Sequence, residues 1–284
     1  MNTLTPCPDD QIAQYTARRV AKPLQINGDL SKTAWQNATW TPRFVDMASG
    51  SPGFYNTRAA LLWDDEALYI AFRVEEPFVE AQHTERDSII FQENDVEVFI
   101  DGGDCYYELE LNAIGTIYEV FFIWRDAFKR GGPFDLPEFD LFDDRTFSFG
   151  GDYDRTPASF WRGTHPRGGR WAFTGWDFPG LQVATQIQGT LNDDSDIDRS
   201  WTAEIALPWQ GMTHLANGRS LPPQAGDVWR IFLGRFQKLM NAGKEIIPHP
   251  AWVLSPHGIY DTHQPACFPY IAFSDEMISE EASR

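Results

Sequence analysis

An all-β fold, an antiparallel β-sandwich carrying a long irregular aromatic-rich insert, is what this sequence predicts. Three observations lead there. Residues 94–124 read as three consecutive strands, alternating apolar and polar with a period of two and broken by Gly102-Gly103 and by Gly115. Short alternating segments bounded by turn residues recur along the rest of the chain, with little helical periodicity. At 284 residues, with neither an internal repeat nor a low-complexity segment, the chain is long enough to bury a sizeable core.

Residues 1–20 are polar and read as a lead-in. A single sandwich domain is expected over 21–274, with a polar tail over 275–284. Within the domain, residues 22–30 suggest a short strand ending in an Asn-Gly turn, and Ser31 an N-cap for one helical turn reaching Trp35. Residues 56–74 form the clearest hairpin, turning at Asp64-Asp65-Glu66. In the 94–124 run, Val96, Val98 and Ile100 share a face with Tyr107, Leu109 and Leu111. Glu97 and Phe99 share the other with Glu108, Glu110 and Asn112. A sheet face lined with carboxylates and an amide meets water or floors a pocket for a polar ligand.

Period and pattern fail over 126–176, a stretch rich in Gly, Pro, Asp, Arg and aromatic residues. Disordered segments are poor in aromatics, so an ordered cover over the sheets is expected. Strands resume at 180–190, 200–207, 227–238 and 268–274, with an acidic turn at 191–199.

Composition excludes several functions. Forty-one acidic against 23 basic residues give a net charge of −18, unsuited to nucleic acid or anionic membranes, which need Lys and Arg to displace counterions. A neutral ligand is favoured over a polyanion. No stretch approaches the roughly 18 apolar residues of a membrane span. No secretory leader is visible, which makes the cytoplasm the default expectation unless a leader has been removed. Cys7, Cys105 and Cys267 are too few and too scattered for a disulfide framework, and they form no zinc spacing. Neither a GxSxG elbow nor a phosphate-binding glycine loop is present.

Several stretches resemble the family 9 carbohydrate-binding modules, in particular a stand-alone "family 9-like" branch. They are PLQINGDL (23–30) with Trp35, LWDDEALYI (62–70), NDVEVFID (94–101), YYELELN (106–112), the run 189–209 and the run 252–273. The resemblance implies a β-sandwich that binds sugars, often with calcium in structural loops. In such modules two tryptophans sandwich a terminal sugar, and charged and amide side chains bind its hydroxyls. The first clamp aromatic aligns with Phe91, the acidic contact with Glu97, and the amide contact with Asn112. A basic contact falls on Glu110, a reversed charge, and the second clamp tryptophan falls near Thr262-His263, where none stands.

The expected ligand-binding set is therefore Phe91, Glu97, Glu110, Asn112, Trp124, Arg235 and His263. Trp124, Trp161, Trp171 and Trp176 are candidate walls, whereas Trp35, Trp63, Trp201, Trp209 and Trp229 read as core. Glu97 and Glu110 admit three roles: acceptors for sugar hydroxyls, a buried charge network with Arg235, or the acid/base pair of an enzyme acting on a glycoside or another small molecule. Binding without chemistry is the first expectation and the enzyme its alternative. No cofactor is required. Calcium is the candidate metal, and Asp193, Asp194, Asp196 and Asp198 of the acidic turn are its candidate ligands.

Overall fold

Strand pairing, rather than helix, organises the chain. The structure is a computed structural model describing residue 7, residues 9–150 and residues 165–279. Its strands are β1 Gln14–Arg19, β2 Val45–Asp46, β3 Thr57–Trp63, β4 Ala67–Glu75, β5 Asp95–Asp101, β6 Cys105–Asn112, β7 Ile117–Trp124 and β8 Thr146–Phe149. There follow β9 Arg170–Phe173, β10 Gln182–Gln188, β11 Ser200–Pro208, β12 Val228–Phe236, β13 Met240–Asn241, β14 Lys244–Glu245, β15 Ala251–Val253 and β16 Tyr270–Met277. One short helix, α1, covers Thr33–Asn37.

The strands run in the order β10-β11-β4-β3-β1-β16-β12-β5-β6-β7-β9-β8. β12 is the corner. Its first residues, Val228–Arg230, pair with β16, while Ile231–Phe236 pair with β5. One half of the path thereby folds over the other as a sandwich. Between the halves lie Leu61, Ile70, Phe72 and Ile205 from one side and Val98, Leu109, Phe121 and Leu233 from the other, all within 1 % of full burial. Removing so much apolar surface from water is the dominant stabilising term. The five tryptophans read as core are all buried.

Each half has a differently covered outer face. Over β3, β4 and β11, the segment 20–40 seals the surface with Leu30 and Trp35 against Ala60, Leu62, Tyr69 and Ala206. Over β5, β6 and β7, the cover is assembled from β8, β9 and the chain around 245–268.

Several local expectations are corrected. Residues 14–19, read as lead-in, form β1, which pairs in parallel with both β16 and β3. Residues 22–30 form no strand. α1 begins after Lys32 without a side-chain cap, because Ser31 is occupied one residue earlier in a turn with Asp29. The insert is more than a cover: it contributes β8 and β9, which extend the sheet from the edge of β7. Cys7 and Cys267, 260 residues apart, are joined in a disulfide, and Cys105 is free and buried. Among the described residues no helix is long and apolar enough to cross a membrane.

Candidate functional site

The alternation in β5 and β6 places the acidic residues as the pattern requires. Glu97 lies directly across from Glu110, and Glu110 across from Tyr118 on β7. Glu108 sits across from Val120 on the same face. On the other flank, Glu97 faces Gly234 of β12, so no side chain covers it from that strand. A Cβ at Gly234 would lie 2.5 Å from the Phe232 ring, so glycine keeps this part of the floor open.

Above this floor is a pocket of about 820 Å³, within the usual range for small-molecule sites. Glu97, Glu108 and Glu110 form its base. Phe91, Tyr118, Phe122, Phe147, Phe149, Phe236 and Tyr260 supply aromatic walls, and Lys238, Asp261 and His263 complete the polar lining. Phe91 is 42 % exposed and meets Tyr118 edge to face at 5.6 Å, so both rings present surface to a ligand.

Burial governs the electrostatics. It pushes the Glu97 and Glu110 carboxyls well above the usual carboxylate range, and the neighbouring Asp95 and Glu108 charges raise them further. Asp95, beneath the pocket at the start of β5, is raised in the same way, with burial again the leading cause. Burial takes Glu108 to about 7 and Asp261 to about 6. His263 is pushed well below its ordinary range by burial and then by Arg170, so it is neutral. Its Nδ1 is 3.1 Å from the Tyr106 hydroxyl, and its ring packs on Phe99, Phe122 and Phe149.

Of the residues expected from sequence, Phe91, Glu97, Glu110 and His263 come together here. Three do not. Asn112 is fully buried at the end of β6, with its amide donating to His83 O and Glu93 and its Oδ1 accepting from the Ile114 and Thr116 amides. All its hydrogen-bonding capacity is spent on the turn. Arg235 pairs with Val96 rather than with Glu97, which puts it on the inner face of β12. There it bonds Thr57 Oγ1 at 3.0 Å and Glu76 Oε2 at 3.3 Å. Trp124 is buried under the Arg170 guanidinium, 4.3 Å from its ring, and does not reach the pocket.

Trp171 and Trp176 of the insert are likewise not walls. Trp176 packs in the core against Phe121 and Tyr107, and Trp171 lies under Arg125. Trp161 lies outside the described residues. The insert reaches the pocket through Phe147 and Phe149 of β8 instead. Glu108, which the alternation puts on the polar face, and Tyr118, across from Glu110, also line the pocket, though neither stands in the expected ligand-binding set. Near the absent second clamp tryptophan, Thr262 and His263 do line the pocket, and Tyr260 beside them supplies an aromatic ring.

Among the described residues, the acidic turn does not bring three of its carboxylates together. Asp198 is buried, but its two oxygens accept the Thr190 and Val79 amides, tying this turn to the 77–79 loop. Asp193 and Asp196 are exposed and bond Ser195 and Thr190.

Residues 48–128, which run from just after β2 to just beyond β7 and so include the whole floor, match the family model for carbohydrate-binding family 9. Among solved structures, a candidate carbohydrate-binding protein from Bacteroides uniformis ATCC 8492 superposes with a TM-score of 0.56 at 14 % identity, covering 92 % of this chain and 99 % of that one. A family 9 carbohydrate-binding module from Caldicellulosiruptor kristjanssonii, solved with cellotriose, gives 0.47 at 13 % identity over 92 % and 94 % of the two chains. A second structure of a family 9 module from that organism, with glucose, gives 0.47 at 12 % identity over 95 % and 100 %. No curated protein sequence matches the chain. The fold is thus a β-sandwich like that of the Bacteroides uniformis protein, and the part of the chain that resembles carbohydrate-binding family 9 is the part that contains the acidic floor.

Proposed function

We propose that this protein binds a carbohydrate, without chemistry of its own, in the pocket over β5, β6 and β7. One observation carries the reading: the segment that matches carbohydrate-binding family 9 is the one that builds a carboxylate floor ringed by aromatic side chains. A pyranose has an apolar C–H face that packs on a ring such as Phe91 or Tyr118. Its hydroxyls are donors, and the floor carboxylates are strong acceptors. Lys238 and Asp261 stand at the margin to fix orientation. Glycoside hydrolysis needs two carboxyl groups flanking the scissile bond. Here Glu97 and Glu110 are cross-strand neighbours beneath the ligand, an arrangement that favours holding a sugar over cleaving one.

The test is a thermal-shift and calorimetric screen against mono- and oligosaccharides, run once in chelator and once in calcium. At least one sugar is expected to raise the melting temperature, and Phe91→Ala and Tyr118→Ala should remove that rise while leaving the unliganded melt intact. No response to any sugar in either buffer would overturn the reading.

A further inference from the structure

The floor carboxylates are unusual in being short of partners. Asp95, Glu97 and Glu110 are 0 %, 3 % and 1 % exposed. One oxygen of each, Asp95 Oδ2, Glu97 Oε2 and Glu110 Oε2, is buried without a hydrogen-bond partner. Asp95 accepts the Phe236 amide through its other oxygen. Arg235 lies on the inner face of β12 and is engaged with Glu76. A buried carboxylate without a counter-charge is costly, and three converging ones are more so.

Their geometry suggests what relieves that cost. One oxygen from each of Asp95, Glu97 and Glu110 lies within 4.8 Å of the other two. Some point therefore lies within about 2.8 Å of all three such oxygens, against about 2.3–2.6 Å for calcium–oxygen and about 2.0–2.1 Å for magnesium–oxygen bonds. Among the described residues this is the one group of three His, Cys, Asp or Glu side chains that converges so closely. Oxygen-only donors suit a hard cation and not zinc, whose preferred imidazole is committed here: the His263 Nδ1 is at hydrogen-bonding distance from Tyr106.

We propose that Asp95, Glu97 and Glu110 hold a divalent cation, calcium by its size and donor preference, at the base of the pocket. Three carboxylates leave a six- to eight-coordinate ion with positions open toward the pocket. Adjacent hydroxyls of a ligand fill them, so the ion bridges protein and sugar. That last step rests on the carbohydrate reading; the cation site itself does not. A dication balances the three charges better than a single ammonium group, which sets this site apart from one built for an amino sugar.

The experiment titrates the chelator-treated full chain with calcium chloride, with magnesium chloride and with glucosamine, by calorimetry and by thermal melt, in the absence of any other sugar. Calcium is expected to bind with one site per chain, to raise the melting temperature by several degrees, and to outcompete magnesium. Glu97→Gln and Asp95→Asn should abolish the response, whereas Asp193→Asn with Asp196→Asn should leave it. Because Glu97→Gln removes a buried carboxyl crowded by its acidic neighbours, that variant is expected to melt higher than the chelated wild type, which keeps it informative. No calcium response in the wild type would overturn the site, as would one surviving Glu97→Gln, one abolished with the acidic turn, or a response confined to glucosamine. Sugar binding that persists without any cation response sinks this inference alone; cation binding with no sugar response sinks the carbohydrate reading alone.

Discussion

Three buried carboxylates in this molecule differ in one respect, the number of donors they are given. Glu204, on the sealed outer face of β11, receives four: the Asn27 and Gly28 amides at 2.9 and 3.0 Å, Trp35 Nε1 at 2.8 Å, and the Lys32 ammonium. Asp261, at the pocket margin, receives two, from His263 N at 2.9 Å and Gln264 Nε2 at 2.7 Å. Glu97, on the open outer face of β5, has an oxygen that is buried with no donor at all among the described residues. The first is a structural clasp that fastens segment 20–40 onto the sheet. Gly28 is required there, since its φ is +75° and a Cβ would stand 2.7 Å from the Thr185 carbonyl carbon. The last is a group whose partner must come from outside. Burial alone marks both; the donor count separates structure from site.

Glu204→Gln probes the clasp most directly. Neutralising this residue strands Lys32 and weakens bonds that close segment 20–40, so a loss of about 3 kcal/mol or more is expected in denaturant unfolding. A variant as stable as the wild type would show that the clasp contributes little.

Asp261 tests the intermediate case through pH. Its carboxyl is raised from 3.8 to about 6 by burial, against the lowering influence of its two hydrogen bonds and of Arg170. The folded state therefore holds a proton that the unfolded state releases between about pH 4 and pH 6. Stability contributed by this group is present below pH 4 and falls away as pH rises through 6, by on the order of 3 kcal/mol. Asp261→Asn should flatten that part of the profile: wild type minus variant should decline across pH 4 to 6 and stay level above. A difference independent of pH would show that Asp261 does not titrate in this range.

Glu97→Gln should have the opposite sign to Glu204→Gln. In chelator it is expected to stabilise by about 1–2 kcal/mol, because it removes a buried carboxyl that folding must either protonate or leave charged and short of donors. Destabilisation would mean that Glu97 is already well paired, and the distinction between the two glutamates would fail.

What is legible in the sequence follows the range of the interactions. The floor is visible because strand alternation is local, and Glu97, Glu108 and Glu110 fall on one face whatever the strands pack against. The hairpin β3–β4 is visible for the same reason. Asn112 misleads because its position at a strand end commits it to the turn, a tertiary demand that alternation does not encode. Arg235 misleads because both faces of β12 are apolar: Ile231 and Leu233 alternate with Phe232 and Phe236. Only the register against β5 tells which face is inward. The walls are least legible, since Phe147, Phe149, Tyr260 and Lys238 come from separate segments that meet only in the fold. The Cys7–Cys267 disulfide is of the same kind, a link between the two ends of the described chain.

The smallest effect discriminates most sharply between a site and a cover. Phe91 is a large apolar side chain left 42 % exposed on a single turn before β5, touching Tyr118 at the rim. If it is only a surface residue, truncation changes neither stability nor binding. If it is a stacking platform, Phe91→Ala should shift unfolding by no more than about 0.5 kcal/mol. The same change should weaken sugar binding roughly tenfold, which is about 1.4 kcal/mol for stacking on one face of the ring. Phe91→Tyr retains that face and should restore the affinity. Equal affinity in all three proteins, measured by titration calorimetry with the best sugar from the screen, would move the platform elsewhere on the aromatic wall.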